Sequence, residues 1–194
     1  MNPFTLSLPD TLKLTDEQFF ELCQSNRDYQ FERTASGDLL IMPPTGGEIG
    51  RRNIDLLFQL QAWSRQNKLG VAFDSSTCFK LPNGADRSPD ASWIKRERWN
   101  ALTAEQKEKF SPICPDFVVE LRSSIDSLKT LQEKMEEYRE NGTRLGWLID
   151  PKARRVEVYR PGQKVEVLEN PATLSGEEVL TGFVLNLESI VSLD

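Results

Sequence analysis

The sequence predicts an α+β (mixed α/β) protein with a central mixed β-sheet, flanked by helices and extended by extra β-hairpins. Three observations lead there. Alternating segments and helical-period segments follow one another as helix, hairpin, long helix, several strands, helix, several strands. The stretch Pro115–Arg139, PDFVVELRSSIDSLKTLQEKMEEYR, joins an acid-bearing strand to an amphipathic helix through a Ser-Ser turn. There is no regular βαβ repeat and no glycine-rich phosphate loop. Gly46-Gly47 lacks both the spacing and the preceding buried parallel strand of a dinucleotide site.

Taken in order, residues 1–14 read as an extended N-terminal segment broken by Pro3 and Pro9. Thr15 and Gln18 have the spacing of a capping box and open a short helix with Phe19, Leu22 and Cys23 on one face. Tyr29–Arg33 and Asp38–Met42 form a hairpin across Ala35-Ser36-Gly37. After the break at Pro43-Pro44, a long helix runs from about Glu48 to Asn67, burying Ile49, Asn53, Leu56, Leu57, Leu60 and Trp63. Val71–Asp74, Thr77–Leu81 and Pro89–Ile94 are strands, and Thr103 starts a short helix. In the central strand Phe117, Val119 and Leu121 share an apolar face, while Asp116, Val118, Glu120 and Arg122 share the other. Two acids on one face repel, and burying either alone is costly; a bound cation relieves both. In the helix that follows, Leu128, Leu131, Met135 and Tyr138 form the core stripe, Lys134 lies at its edge, and Asn141-Gly142 ends it. Gly146–Ile149, Arg155–Tyr159 and Lys164–Leu168 are strands, and the mixed tail ends in a short helix near Leu187–Ile190.

At 194 residues the chain fits a single domain, residues 1–194, with a full core. No apolar run is long enough to span a bilayer and no secretory leader is present, so a cytoplasmic protein without a membrane partner is expected. Cys23, Cys78 and Cys114 are scattered and read as small buried hydrophobes, not as a disulfide framework or zinc site. The absence of histidine excludes Ser-His-Asp and Cys-His catalysis and histidine-ligated zinc or iron. Catalysis must then use carboxylates, Lys, Ser, Tyr or Cys, and oxygen-only ligands favour Mg²⁺, Mn²⁺ or Ca²⁺. The net charge of -6 argues against whole-surface attraction to nucleic acid and leaves only a local basic patch for it.

Pro89-Asp90 opens one strand and Glu120-Leu121-Arg122 lies on another, thirty positions further on. Together they resemble the PD-(D/E)xK nuclease pattern, with Arg122 where lysine is usual. More of the chain, from about Thr15 to Leu193, resembles the Uma-type restriction-endonuclease family. The resemblance is carried by IMPPTGGEIGRRN, SPDASWI and the long block from Pro115 to Gly162. It implies a restriction-endonuclease-like fold and a Mg²⁺-dependent phosphodiesterase site, with Asp90 and Glu120 holding Mg²⁺ or Mn²⁺. Glu48 would assist through a water, or else only complements its helix dipole. Asp116, on Glu120's face, is a further ligand or a supporting residue. Arg122 stays protonated and can only clamp a phosphate; Lys134 either replaces the missing lysine or snorkels at the surface.

Two functions compete. One is a metal-dependent DNA endonuclease; the other is a catalytically inactive module on the same fold that binds nucleic acid or protein. DNA contacts would fall on Arg51, Arg52, Lys95, Arg96 and Arg98, each of which also reads as a solvated charge. A homodimer is expected through Trp93, Trp99 and the C-terminal apolar strands.

Overall fold

The structure, a computed structural model, describes residues 4–191. Residues 1–3 and 192–194, the outermost parts of the expected extended segment and tail, lie outside the described residues. The first half contains β1 (Phe4–Leu6), α1 (Asp16–Ser25), β2 (Gln30–Arg33), β3 (Leu39–Met42), α2 (Gly47–Asn67), β4 (Gly70–Asp74), β5 (Phe79–Lys80), β6 (Asp86–Arg87) and β7 (Ala91–Lys95). The second contains α3 (Arg96–Asn100), α4 (Ala104–Glu108), β8 (Phe117–Leu121), α5 (Leu128–Glu140), β9 (Leu145–Asp150), β10 (Arg155–Tyr159), β11 (Glu166–Glu169), β12 (Thr173–Ser175), β13 (Val184–Asn186) and α6 (Glu188–Val191).

The expected capping box closes α1: Gln18 N–H donates to Thr15 Oγ1 at 3.2 Å, and Thr15 N–H donates to Gln18 Oε1 at 2.9 Å. A second box, Thr103 with Gln106, opens α4. Helix α3 and the β12–β13 hairpin were not expected, being too short to carry a period.

A mixed six-stranded sheet, ordered β11-β10-β9-β8-β7-β4, forms the centre. Its β8–β9 ladder is parallel and its other ladders are antiparallel. Side-chain alternation gives it two apolar faces. On one, Leu56, Leu60 and Trp63 of α2 pack with Phe117, Val119, Leu121, Trp147 and Ile149. On the other, Met135 and Tyr138 of α5 pack with Ile94, Val118 and Leu148. Gly146 permits the close approach of α5, since a Cβ there would lie 2.5 Å from Met135 Cε. The second sheet, β1-β3-β2-β6-β5, is antiparallel and carries residues of β2 and β6 to the end of α5.

Two surface expectations are corrected here. Arg52 is buried, not solvated, and its guanidinium pairs with Glu48 at 3.1 Å. Trp93 is 2% exposed and so offers no dimer surface, while Trp99 is part-exposed and packs edge-on against Phe73 at 4.9 Å. Among the described residues no helix is long and apolar enough to cross a membrane.

Candidate active site

Strand register decides which acids meet. Ala91 faces Val119 and Trp93 faces Phe117 across the antiparallel β7–β8 ladder. Continuing that register by one residue sets Asp90 opposite Glu120. The half-buried Asp90 accepts the Leu121 N–H on Oδ2 at 2.7 Å, and Glu120 is 4% exposed. Both lie on the floor of a cleft of about 840 Å³ between the β3–α2 connection, the β8–α5 connection and α5.

Helix α5 supplies the cation. Its Lys134 Nζ stands 2.9 Å from Glu120 Oε1 and 2.8 Å from Glu32 Oε1, with its side chain 10% exposed. One turn on, Tyr138 Oη donates to the same Glu120 oxygen at 3.1 Å. Glu32, on β2, also accepts from Ser88 N–H at 2.9 Å and pairs with Arg87 at 3.1 Å. Arg87 in turn reaches Glu137 of α5 at 2.5 Å. An unbroken chain of charged contacts therefore runs Glu137, Arg87, Glu32, Lys134, Glu120.

Burial pushes the Glu120 carboxyl up; Lys134 pulls it back, Asp90 and Glu32 push it further, and it settles at about 8. Burial also raises Asp90, against the Leu121 N–H and Lys134. Glu32 is held below its usual range although burial opposes this, because Lys134 and Arg87 both face it. Burial works against the Lys134 ammonium, but Glu120 and Glu32 outweigh it and raise its pKa. Lys134 is thus a fixed positive charge at neutral pH, suited to neutralising a phosphate and unable to act as a base.

Two expected residues stand elsewhere, and a third lies at the rim. Asp116 is four residues from Glu120, roughly 13 Å along an extended strand. There it accepts from Lys95 N–H at 2.8 Å and pairs with Arg98 at 2.9 Å. Sharing a strand face does not bring the two acids together, and Asp116 is a clamp at the opposite end of the sheet. Arg122 pairs with Asp150 at 2.5 Å and donates to the Asp126 carbonyl, so it joins β8 to β9 instead of facing the cleft. Glu48 does line the cleft, but as a rim residue, half exposed and held by Arg51 at 2.9 Å and Arg52 at 3.1 Å. Lys95, Arg96 and Arg98 lie at the far end of β7, engaged with Glu97, with the Lys68 and Gly70 carbonyls, and with Asp116.

Glu32 and Arg87 escaped sequence reasoning. The available signal was β2 itself, where Glu32 and Arg33 are adjacent, opposite-facing and both buried. Each then needs its own partner, and Arg33 finds Asp86 at 2.7 Å.

Among the described residues no group of three or more His, Cys, Asp or Glu side chains is arranged to hold a metal. Two carboxylates, Asp90 and Glu120, are nonetheless a donor set that fits Mg²⁺, which takes one or two carboxylates and completes its shell with water and phosphate oxygens. Their mutual repulsion, part of what raises Glu120, is the strain such an ion removes.

Mixed sheet, flanking helices and an acid pair at one strand end define a protein of the restriction-endonuclease-like fold. A crystal structure of a putative nuclease belonging to DUF820 from Anabaena variabilis superposes with a TM-score of 0.76 at 21% identity, covering 92% of this chain and 97% of that one. The model of the Uma2 family, described as "Putative restriction endonuclease", matches residues 16–188, and the chain belongs to that family. No curated protein matches the sequence.

Proposed function

We propose that the chain is a metal-dependent endonuclease that hydrolyses phosphodiester bonds of DNA at a PD-(D/E)xK-type site. Asp90 and Glu120 hold Mg²⁺ or Mn²⁺, and Lys134 fills the place of the lysine absent at position 122. The observation that carries this reading is the Lys134 ammonium, 2.9 Å from a glutamate that lies in register with Asp90. When bound, the ion supplies an acidified water and a Lewis acid for the phosphoryl oxygen. Tyr138 fixes the Glu120 carboxylate through Oε1, and Glu32 holds Lys134 charged and pointed at the cleft. Glu48 orients water at the rim. All three cysteines are unpaired, which supports a reducing, cytoplasmic setting. A homodimer belongs to the same proposal, with Ile54 and Phe58, 63% and 71% exposed and one turn apart on α2, as its surface. Sedimentation as monomer alone at micromolar concentration removes that part.

The decisive experiment is nicking of supercoiled plasmid in Mg²⁺ or Mn²⁺, with and without EDTA. Asp90→Ala and Glu120→Gln are expected to abolish nicking and Lys134→Ala to lower it about a hundredfold per folded molecule, the folded fraction being read from the far-UV spectrum. Metal-independent nicking, or full activity in Glu120→Gln, overturns the assignment.

One observation favours the second reading, a non-catalytic module. Glu32, Glu48, Asp90, Glu120, Asp126, Glu133 and Glu137 line the cleft against only Arg87 and Lys134. Calorimetry separates the two: absence of Mg²⁺ and Mn²⁺ binding supports the module, and an ion lost in Glu120→Gln supports the enzyme.

A further inference from the structure

We infer that the cleft takes its nucleic acid as an unpaired strand, holding one base against an aliphatic wall beside the acids. This deepens the endonuclease reading and rests on it.

The floor is recessed. Glu120 is 4% exposed and the Lys134 side chain 10%, so a phosphate that reaches them must leave the surface of its own polymer. A duplex must bend or unstack to set one phosphate in a recess, at a cost of about 1–6 kcal/mol. A single strand does so freely.

The charges point the same way. Duplex binders commonly neutralise about six to ten phosphates. The cleft offers Arg87 and Lys134, and each is already flanked by two carboxylates. Arg51 and Arg52 are held by Glu48 at the rim, and the remaining candidates lie at the far end of β7. No further Lys or Arg lines the cleft among the described residues.

The wall supplies what the charges do not. Met42, Pro43 and Pro44 from the β3–α2 connection line the cleft together with Ile125 and Leu131. Ile125, in the β8–α5 connection, is 48% exposed, apolar surface that a base face would cover.

The test compares a single strand, its duplex, and methyl p-nitrophenyl phosphate, a diester with no base, all in Mn²⁺. The single strand is expected to be cut at least about tenfold faster than the duplex, with a log–log salt slope no steeper than about −2. Ile125→Asp is expected to lower single-strand cleavage about tenfold more than hydrolysis of the small diester, and Ile125→Phe to restore it. Duplex cut as fast as single strand, or Ile125→Asp lowering both substrates alike, overturns the inference while the endonuclease reading stands. Failure to hydrolyse any of the three overturns the endonuclease reading instead. Anisotropy of a labelled oligothymidylate and of its duplex, in Ca²⁺, then decides the base site. Single-strand preference lost in Ile125→Asp supports it, and equal binding or duplex preference rejects it.

Discussion

Lys134 joins two buried glutamates from different sheets, and its removal strands both. Lys134→Met is expected to cost about 3–5 kcal/mol of stability, because uncompensated buried charge is more expensive than the pair is favourable. Urea denaturation measures it, and adding Glu32→Gln is expected to recover part of the loss. Glu120 sets a pH dependence in the metal-free protein. Its folded carboxyl is raised to about 8 from the usual 4.5, so the folded state binds the proton more tightly than the unfolded chain. Stability from this group is therefore complete below pH 4.5 and is lost as pH rises towards 8. Glu32, shifted the other way, loses stability as pH falls, so the Glu120 contribution is read as the difference between wild type and Glu120→Gln. At this scale Asp90, Glu120 and Lys134 were legible, since strand alternation and the helical stripe fix where each points. Glu32 and Arg87 were not, because their partners are long-range and reach the cleft from a second sheet. Asp116 misled because alternation gives direction and says nothing about distance along the strand.

The elements place these residues through two close fits. Antiparallel β7 and β8 bring Asp90 to Glu120 at one end and Lys95 to Asp116 at the other. Helix α5 lies low over β9 because Gly146 has no side chain. Gly146→Ala is expected to cost about 1–3 kcal/mol by overpacking Met135. It is also expected to lower cleavage, as the helix that lifts bears both Lys134 and Tyr138; thermal melts and nicking rates read the two effects. Arg122→Lys separates structure from chemistry. Loss of the guanidinium's contacts with Asp150 and the Asp126 carbonyl is expected to cost about 1.5–3 kcal/mol while nicking per folded molecule is kept. Long elements with strong periods, α2, β8 and α5 among them, were read from the sequence to within a residue or two. Strands β12 and β13, three residues each, fold only because Leu174 and Leu185 join the core under α2, a tertiary cause with no local trace.

Over the whole molecule, the apolar faces of one mixed sheet build the core, and the charge is concentrated where the sheet ends meet the second sheet. In the proposed enzyme the excess of acid in the cleft makes the divalent ion a folding ligand as well as a reagent. An ion at a hundred times its Kd is expected to add about 2.7 kcal/mol to stability, seen as a rise in Tm that Glu120→Gln abolishes. Fold class, central sheet and family followed from the sequence because the αβ order and the Pro115–Gly162 block are long and regular. The second sheet's part in the site did not, because β5 and β6 are two residues each.

The parallel ladder between β8 and β9 has one more consequence. Parallel neighbours need a long crossover, and here that crossover is α5, the bearer of Lys134. Loop-closure entropy makes such pairing slow, so the cleft is completed only when this crossover has closed. Refolding from urea should thus regain the proposed nicking activity on the timescale of sheet closure, and a nick in the loop at Ser123-Ser124 should delay the recovery of both together.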